Sequence, residues 1–265
     1  SKAIFPGRAQ DVLRRAFLQD AVVIIDEPQI FDPNIWNLFL IGLEAISEKN
    51  NLRVLFLSAT MPPFKYGLSK EPTRLKVANE SQAERYTVEN GERMDERQLA
   101  EFLRARKEIK QAAILNTIED AYRVYEELKE DGDVYLLHGM MIPLHKKMVI
   151  SEIQDRLDPK NKASLKVIST QIIEAGVDVS FHHVARALPI LPSVVQAAGR
   201  VNRHFETSIG LLSVIPFFRN GEKNTRNSIY DSSLQRITDR LLLEKKSWSE
   251  SEMIPLVQKY YEEMF

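Results

Sequence analysis

The sequence predicts an α/β protein whose strands run mostly parallel, and two observations support this prediction. Between residues 96 and 216, short apolar runs alternate with helical patterns of about 10–15 residues, which is typical of parallel strands joined by crossover helices. Polar residues follow several of these runs directly, and in parallel sheets the ligand-binding and catalytic residues lie at the carboxyl ends of the strands. The 265 residues, 44% of them hydrophobic, suffice for one large domain or two of ordinary size.

The composition excludes several classes of protein. No stretch approaches the roughly 18 uninterrupted apolar residues that cross a membrane, so we expect no membrane partner. The absence of cysteine excludes disulfides and thiolate metal sites, and it fits a cytoplasmic protein. The 36 basic and 37 acidic side chains give a net charge of −1, without the basic excess of many nucleic-acid binders. A motor that grips a strand through a few local contacts needs no such excess.

Residues 1–95 are predicted to form a first domain. A helical pattern over 12–17 precedes a strand over 21–25, and an amphipathic helix over 35–46 precedes a second buried strand over 54–57. The stretch from about 62 to 96 has three prolines and no sustained period. We expect a linker there, or a strand that returns to the first domain.

Residues 96–216 are predicted to form a second domain, and residues 217–265 a helical extension. In the second domain the predicted helices span 96–109, 118–130, 144–157 and 193–203, and the predicted strands span 112–115, 134–137, 165–169 and 211–215, with another near Val184. The extension is expected to start with a loop over 217–225 and to continue with two amphipathic helices, over 230–244 and 249–263.

Two carboxylates end the first strand. Asp26 can hold Mg²⁺ beside a triphosphate, and Glu27 can orient or deprotonate an attacking water. The alternative is an ordinary acidic pair that opens a surface loop. Ser58 and Thr60 end the next strand, where their hydroxyls can bond near the carboxylates and relay the state of the nucleotide. As a tripeptide, Ser-Ala-Thr is also a common helix or turn cap.

The stretch from Thr170 to Asp178 follows a third buried strand. Thr170 and Gln171 can donate hydrogen bonds to a nucleic-acid backbone. Gly176 permits an unusual backbone angle or a close approach, and Asp178 adds a carboxylate. An ordinary strand followed by a glycine turn remains an equal alternative.

Two arginines follow Gln196 at helical spacing. Gln196, Arg200 and Arg203 stand at i, i+4 and i+7, so a helix over 193–203 would place them on one face. Two guanidiniums on one face can clamp the oxygens of a triphosphate. A solvated polar stripe is the alternative, but Gly199 within a helix costs about 1 kcal/mol against alanine and therefore calls for a reason.

Other catalytic motifs are missing from the 265 residues. None of the ten glycines is followed by lysine, so no Gly-Lys-Ser/Thr phosphate loop is encoded. The five histidines form no zinc-protease pattern, and no Gly-x-Ser-x-Gly nucleophile elbow occurs.

The order of the motifs resembles a known family. Asp26-Glu27-Pro28-Gln29, Ser58-Ala59-Thr60, the 170–178 stretch and Gln196–Arg203 resemble motifs II, III, V and VI of superfamily 2 helicases. The segments "STQIIEAGVDVSF" and "QAAGRVNR" are similar to the corresponding motifs of the CRISPR-associated helicase-nuclease Cas3 family. Asn116-Thr117 lies where that family has motif IV. The resemblance implies RecA-like parallel sheets: an incomplete first lobe, a complete second lobe and C-terminal helices.

The resemblance also implies a role for each motif residue. Asp26 would bind Mg²⁺ with Glu27 beside it, and the second lobe's Arg200 and Arg203 would reach the γ-phosphate of ATP. Ser58 and Thr60 would couple the nucleotide to movement. Cofactor-binding positions would be Gln29, Gly176, Asp178 and Gln196, and DNA-binding positions would be Asn116, Thr117, Thr170 and Gln171. Gln29 departs from the family, which usually has His or Asp there.

The same resemblance implies an activity and binding partners. The family couples ATP hydrolysis to 3′→5′ movement on single-stranded DNA, is recruited by an RNA-guided CRISPR surveillance complex, and works with an HD nuclease domain or subunit. Motif I would lie upstream of Ser1, so we expect no ATPase from these 265 residues alone. We also expect the first lobe to need a further chain segment, because its sheet has an open edge.

Three other interpretations stay open. The chain could be another superfamily 2 DNA or RNA helicase, which would use the same arginines. It could be a non-catalytic platform that keeps the RecA-like fold. It could also be a structural subunit that docks through its C-terminal helices.

Overall fold

The computed structural model describes residues 7–13, 17–31, 33–75, 83–174 and 176–265. They divide into two compact units. The first unit contains the described residues up to 75 together with Tyr261–Phe265, and the second contains those from 83 to 260. Among the described residues, no helix combines the length and the apolarity that a membrane crossing requires.

The first unit is built on two parallel strands and one long helix. A short helix α1 (Ala9–Leu13) precedes strand β1 (Val22–Asp26), and helix α2 (Pro33–Asn50) leads to strand β2 (Arg53–Leu57). The predicted helix over 12–17 runs into residues 14–16, which lie outside the described residues. The two strands pair in register, with Asp26 opposite Leu57, so both strands end at the same edge. This edge positions the first group of candidate site residues.

An aromatic cluster holds α2 against the two strands. Trp36, Phe39, Leu40 and Leu43 are buried on one face of the helix, and the ring of Phe56 from β2 lies 6.1 Å from that of Trp36. The faces of β1 and α2 that point away from this cluster carry exposed apolar residues. Val22 and Ile24 on β1 are 66% and 61% exposed, and Ile35, Leu38 and Ile41 of α2 are also exposed. Both layers of this unit therefore present exposed apolar side chains.

The second unit carries a seven-stranded sheet. Its elements in chain order are β3 (Tyr86–Asn90), α3 (Glu96–Ala105), β4 (Lys110–Ile114), α4 (Ile118–Leu128), β5 (Val134–Leu137), α5 (Pro143–Leu157), β6 (Leu165–Ser169), β7 (His183–Ala187), α6 (Leu191–Ala198), β8 (Gly210–Ile215), the short strands β9 (Phe218–Arg219) and β10 (Lys223–Asn224), α7 (Ser232–Leu242), β11 (Ser247–Ser249) and α8 (Glu250–Met264). The strand order is β11-β3-β8-β7-β4-β6-β5, and only β11 is antiparallel to its neighbour. The predicted α/β class with a parallel sheet is confirmed.

The centre of the sheet is fully buried, as a parallel sheet covered on both faces requires. Every residue of β4 and β7 is buried. Two helices that cover the sheet begin with side-chain caps: Asp95 and Gln98 form a reciprocal capping box at α3, and Thr117 caps α4 by accepting from the Asp120 N–H. The caps fix where the loops at the strand ends turn into helices.

The unit boundary differs from the one that the sequence suggested. Strand β3 lies within the stretch predicted to be a linker or a return strand to the first domain, yet it pairs in parallel with β8 of the second sheet. The second unit therefore begins before residue 86 rather than at 96. Residues 217–260 also belong to it, and β11 extends its sheet by pairing with β3. A hairpin of β9 and β10 occupies part of the predicted loop over 217–225.

Candidate functional site

The first unit places its acidic pair at the carboxyl end of β1. Asp26 is the last residue of the strand and is exposed, whereas Glu27 adopts a left-handed conformation with φ of 51°. The Glu27 N–H donates to the Leu57 carbonyl at 2.9 Å, which ties it to the end of β2. The buried Pro28 then starts a single 3₁₀ turn over Pro28–Ile30. This abrupt turn leaves Asp26 and Glu27 at the rim of the sheet.

A hydrogen-bonded chain connects the acidic pair to the end of β2. The Gln29 amide donates to the Glu27 carboxylate, and Ser58 Oγ donates to Gln29 Oε1 at 2.6 Å. The Thr60 N–H donates to Ser58 Oγ at 2.9 Å, and the Thr60 carbonyl accepts from the Tyr261 hydroxyl at 3.1 Å. The structure thus brings Glu27, Gln29, Ser58 and Thr60 together. Sequence reasoning proposed the relay through Ser58 and Thr60 and assigned Gln29 to the cofactor, and the structure adds that Gln29 bonds both Glu27 and Ser58.

The second unit collects polar residues where β4 and β6 end. The Leu115 N–H donates to the Ser169 carbonyl at 2.8 Å, and the Gln171 amide donates to the Asn116 carbonyl at 3.1 Å. Thr170 is 6% exposed and precedes the 3₁₀ turn Gln171–Ile173. Asn116 and Gln171, which are predicted DNA contacts, therefore lie side by side.

The side chains of Asn116 and Thr117 form hydrogen bonds within the protein. Asn116 is 4% exposed; its amide donates to the Leu188 carbonyl at 3.2 Å, and its Oδ1 accepts from Arg186 at 2.7 Å. Thr117 Oγ1 accepts from the Asp120 N–H at 3.1 Å and from Arg219 at 3.0 Å. These contacts hold the loop after β4, and they give no support to the prediction that the two side chains grip a DNA backbone.

The prediction of one helix over 193–203 is wrong at its end. Helix α6 stops at Ala198, with Gly199 as its C-cap. Val201 forms a bridge with Phe181, and Asn202 takes a left-handed conformation with φ of 45°. Gln196, Arg200 and Arg203 therefore do not share a helix face. The chain leaves the helix because the backbone around Val201 pairs with residue 181, which is a contact that local spacing does not reveal.

Both arginines nevertheless meet the 174–178 stretch. Arg200 is 8% exposed, and its Nη2 donates to the Glu174 carbonyl at 2.7 Å. Arg203 is half-exposed, and its Nε lies 3.2 Å from Asp178 Oδ1. Gly176 between these two contacts has φ of 76°, a left-handed angle that glycine adopts without strain. Gln196 lies half-buried in the last turn of α6.

Sequence reasoning missed a buried ion pair at this edge. Arg186 on β7 is fully buried, and its Nε lies 2.7 Å from the Glu174 carboxylate. Burial raises the pKa of the Glu174 carboxyl, whereas the positive charges of Arg186 and Arg200 oppose that rise. A single arginine inside the apolar run of β7 was the available signal, since such residues are almost never fully buried unless they are paired.

The carboxylates at β1 fit Mg²⁺ in the way that nucleotide enzymes use it. Mg²⁺ prefers oxygen ligands and is usually held by one or two carboxylates plus substrate phosphates. Asp26 offers an exposed carboxylate for this, with Glu27 next to it. In the part of the chain that the structure describes, no group of three or more His, Cys, Asp or Glu side chains forms a closed metal cage.

The two α/β units carry motif residues near the carboxyl ends of their parallel strands, which is the arrangement of the RecA-like fold class. Within this class, residues 107–206 match the family model described as CRISPR-associated nuclease/helicase Cas3, C-terminal. The Cas3 of Methanothermobacter thermautotrophicus is 27% identical over 244 residues, which are 85% of this chain and 29% of that protein. The Cas3 of Haloferax volcanii is 44% identical over 73 residues, 28% of this chain and 8% of that protein. The resemblance to Cas3 that the motifs predicted is confirmed.

Solved structures show the same fold. The T. fusca Cas3–ATP structure matches with a TM-score of 0.75 and 19% identity, over 95% of this chain and 36% of that chain. A chain of a CRISPR RNA-guided surveillance complex in a pre-nicking state matches with a TM-score of 0.76 and 19% identity, over 98% of this chain and 40% of that one. This chain spans less than a third of the length of the curated relatives named above.

Proposed function

We propose that this chain forms the motor part of an ATP-dependent helicase of CRISPR interference, which moves 3′→5′ on single-stranded DNA opened by an RNA-guided complex. The observation that carries the proposal is the pairing of motif residues within each unit. Glu27 is bonded to Gln29 and through it to Ser58, and both arginines of "QAAGRVNR" are bonded to the 174–178 stretch.

The residues divide the chemistry of ATP hydrolysis between them. Asp26 would hold the magnesium ion that accompanies ATP, and Glu27 would orient the attacking water and take its proton. Mg²⁺, when bound, neutralises charge that develops on the phosphates. Arg200 and Arg203 supply positive charge to the γ-phosphate, a contribution worth roughly 10³–10⁵ in turnover. Gln29, Gly176, Asp178 and Gln196 are proposed to line the nucleotide.

The DNA contacts are proposed to lie at the carboxyl edge of the second sheet. Thr170 and Gln171 follow β6 there and are proposed to donate to backbone phosphates without reading sequence, Gln171 through the amide hydrogen that the Asn116 carbonyl does not accept. Asn116 and Thr117 are proposed to hold the loop beside them. An HD nuclease domain or subunit and a surveillance complex complete the proposed set of partners, by analogy with the relatives.

The function requires a phosphate loop, which these 265 residues do not encode. We therefore define the assembled enzyme as this chain together with a segment that carries a Gly-Lys-Thr/Ser loop. We expect ATP turnover stimulated by single-stranded DNA from the assembled enzyme and none from the 265 residues alone. Stimulated turnover by the 265 residues would contradict the proposed division of catalytic roles.

An unwinding assay separates the proposed function from its alternatives. The assembled enzyme should unwind DNA duplexes with a 3′ overhang and leave RNA duplexes and 5′-overhang DNA paired. Unwinding of RNA would indicate another superfamily 2 helicase. The absence of both unwinding and ATP turnover would indicate a non-catalytic platform. Loss of complex recruitment on substituting exposed side chains of the C-terminal helices would indicate docking through these helices.

A further inference from the structure

The guanidinium of Arg186 connects four segments of the second unit. Its Nη1 donates to Asn116 Oδ1 at 2.7 Å, to the Ala187 carbonyl at 2.8 Å and to the Ile114 carbonyl at 3.3 Å. Its Nη2 donates to the Tyr230 hydroxyl at 3.0 Å, and its Nε meets the Glu174 carboxylate at 2.7 Å. One planar cation thus reaches the end of β4, its own strand, the 170–178 stretch and the loop before α7.

Glu174 faces two arginines through different groups. Its carboxylate is bound by Arg186, while its main-chain carbonyl accepts from Arg200 at 2.7 Å. The Glu174 N–H donates to the Gln171 carbonyl at 3.0 Å, which closes the turn after β6. Arg186 and Arg200 therefore contact the same residue, one through its side chain and the other through its main chain.

Stability alone is a weak reason for such a pair. The Arg186 and Glu174 side chains are 0% and 8% exposed, and removing two charges from water offsets most of the attraction between them. Apolar residues of similar volume often stabilise a protein core equally well. Two of the side chains that Arg186 contacts, Asn116 and Glu174, lie in segments that carry proposed site residues. The third, Tyr230, lies in the C-terminal extension.

We propose that Arg186 and Glu174 are positioning residues, which set the location of the Arg200 guanidinium and of Asn116 for ATP hydrolysis coupled to DNA. The inference rests on the proposed function, because it gives Arg200 its role at the γ-phosphate. Neither residue contacts the substrate; each acts through the group that it holds.

The first test removes the charge of Glu174 and keeps its shape. In the assembled enzyme, Glu174→Gln should lower kcat for ATP on the order of 100-fold, since misplacing a catalytic group by about 1 Å has that effect. KM for ATP should change little, because most contacts to the bound nucleotide are unchanged. Asp239→Asn is the matched control: Asp239 lies 2.7 Å from the buried Arg226, and its carboxylate-to-amide change should leave kcat at the wild-type value.

The second test separates positioning from stability. The double variant Arg186→Met with Glu174→Met removes both charges, so that neither is left buried without its partner. Its melting temperature should still fall, because Asn116 Oδ1 and the Tyr230 hydroxyl lose the hydrogen-bond donor that Arg186 supplies. All assays are run well below the melting temperature of each variant. We expect kcat of the double variant to stay on the order of 100-fold low, because Arg200 has lost its support.

The kcat values of these variants decide between a positioning role and a purely structural one. Wild-type kcat in either variant, with Arg200→Ala inactive, overturns this inference alone. Wild-type turnover in Arg200→Ala overturns the proposed function and this inference with it. Low kcat in both variants together with wild-type kcat in Asp239→Asn supports the positioning role.

Discussion

Gln29 shows how a residue that departs from the motif it resembles can still suit its position. Its amide can donate and accept at once, which a carboxylate at neutral pH cannot do. It donates to Glu27 and accepts from Ser58, so the proposed general base is connected to the end of the next strand. A change at Glu27 during hydrolysis would therefore reach Ser58 through Gln29, and also directly, because Ser58 Oγ donates to Glu27 Oε2 at 3.5 Å.

The contact between Gln29 and Ser58 leads to a prediction about coupling. Ser58→Ala in the assembled enzyme should leave ATP turnover nearly intact but lower the number of base pairs unwound per ATP by about fivefold. The reason is that one neutral hydrogen bond contributes roughly 1 kcal/mol. Unwinding and phosphate release are measured on the same samples.

Ser69→Ala is the control for this prediction. Ser69 Oγ donates to Glu44 at 2.6 Å on the exposed surface of the same unit, so its loss should not alter the ratio. An unchanged ratio in Ser58→Ala would show that the contact does not transmit the state of the nucleotide.

At the scale of elements, a glycine explains why the chain beyond α6 takes its observed path. A Cβ at Gly210 would lie 2.5 Å from Val201 Cγ1 and 2.9 Å from Asn202 Cβ. The start of β8 thus packs directly against the segment that leads from Arg200 to Arg203. Gly210 supports the site, although it lies outside every motif.

Gly210→Ala should therefore destabilise the protein by about 1–3 kcal/mol, the usual cost of overpacking. Gly139→Ala serves as the control, because a Cβ at Gly139 meets nothing within 4 Å. Urea unfolding of both variants measures the difference in the free energy of unfolding. Equal stability of the two variants would contradict the close packing of β8 against Val201.

The buried histidine of β7 gives a prediction about pH. His183 accepts or donates a hydrogen bond with Ser213 Oγ at 3.0 Å, and burial lowers its pKa from 6.5 to about 3. Between those pH values the unfolded chain binds a proton that the folded chain does not. His183 should therefore make stability fall as the pH falls from about 6.5 towards 3, by up to about 1.4 kcal/mol per pH unit.

The substitution His183→Gln isolates this contribution. Glutamine does not titrate, so the difference in unfolding free energy between wild type and variant should change steadily between pH 7 and pH 4. Urea unfolding at several pH values measures it. A difference that stays constant over this range would mean that His183 is not held neutral in the folded protein.

Some elements could be predicted from sequence and others could not, for physical reasons. The parallel strands were predictable because β4, β6 and β8 are apolar runs separated by helical patterns, and parallel strands bring the residues after them to one edge. The pairing of β3 with β8 could not be predicted, since the residues that pair are more than 120 positions apart in the sequence. The partner of Arg186 was equally hidden, because Glu174 lies on the turn after a different strand.

At the scale of the whole molecule, each unit supports one set of the proposed catalytic groups. The first unit holds Asp26 and Glu27 at the end of β1, and the second holds Arg200 and Arg203 after α6. The proposed function assigns both sets to ATP hydrolysis. Arg203 is the best residue for testing it, because its side chain is 42% exposed and its loss should not disturb the core.

The most direct test measures ATP turnover and single-strand DNA affinity of Arg203→Ala in the assembled enzyme. Turnover should fall by roughly 10³ or more, while the dissociation constant for DNA stays close to that of the wild type. Arg97→Ala, which changes an arginine 77% exposed on α3, should leave both quantities unchanged. Wild-type turnover in Arg203→Ala would contradict the claim that this arginine acts on the γ-phosphate.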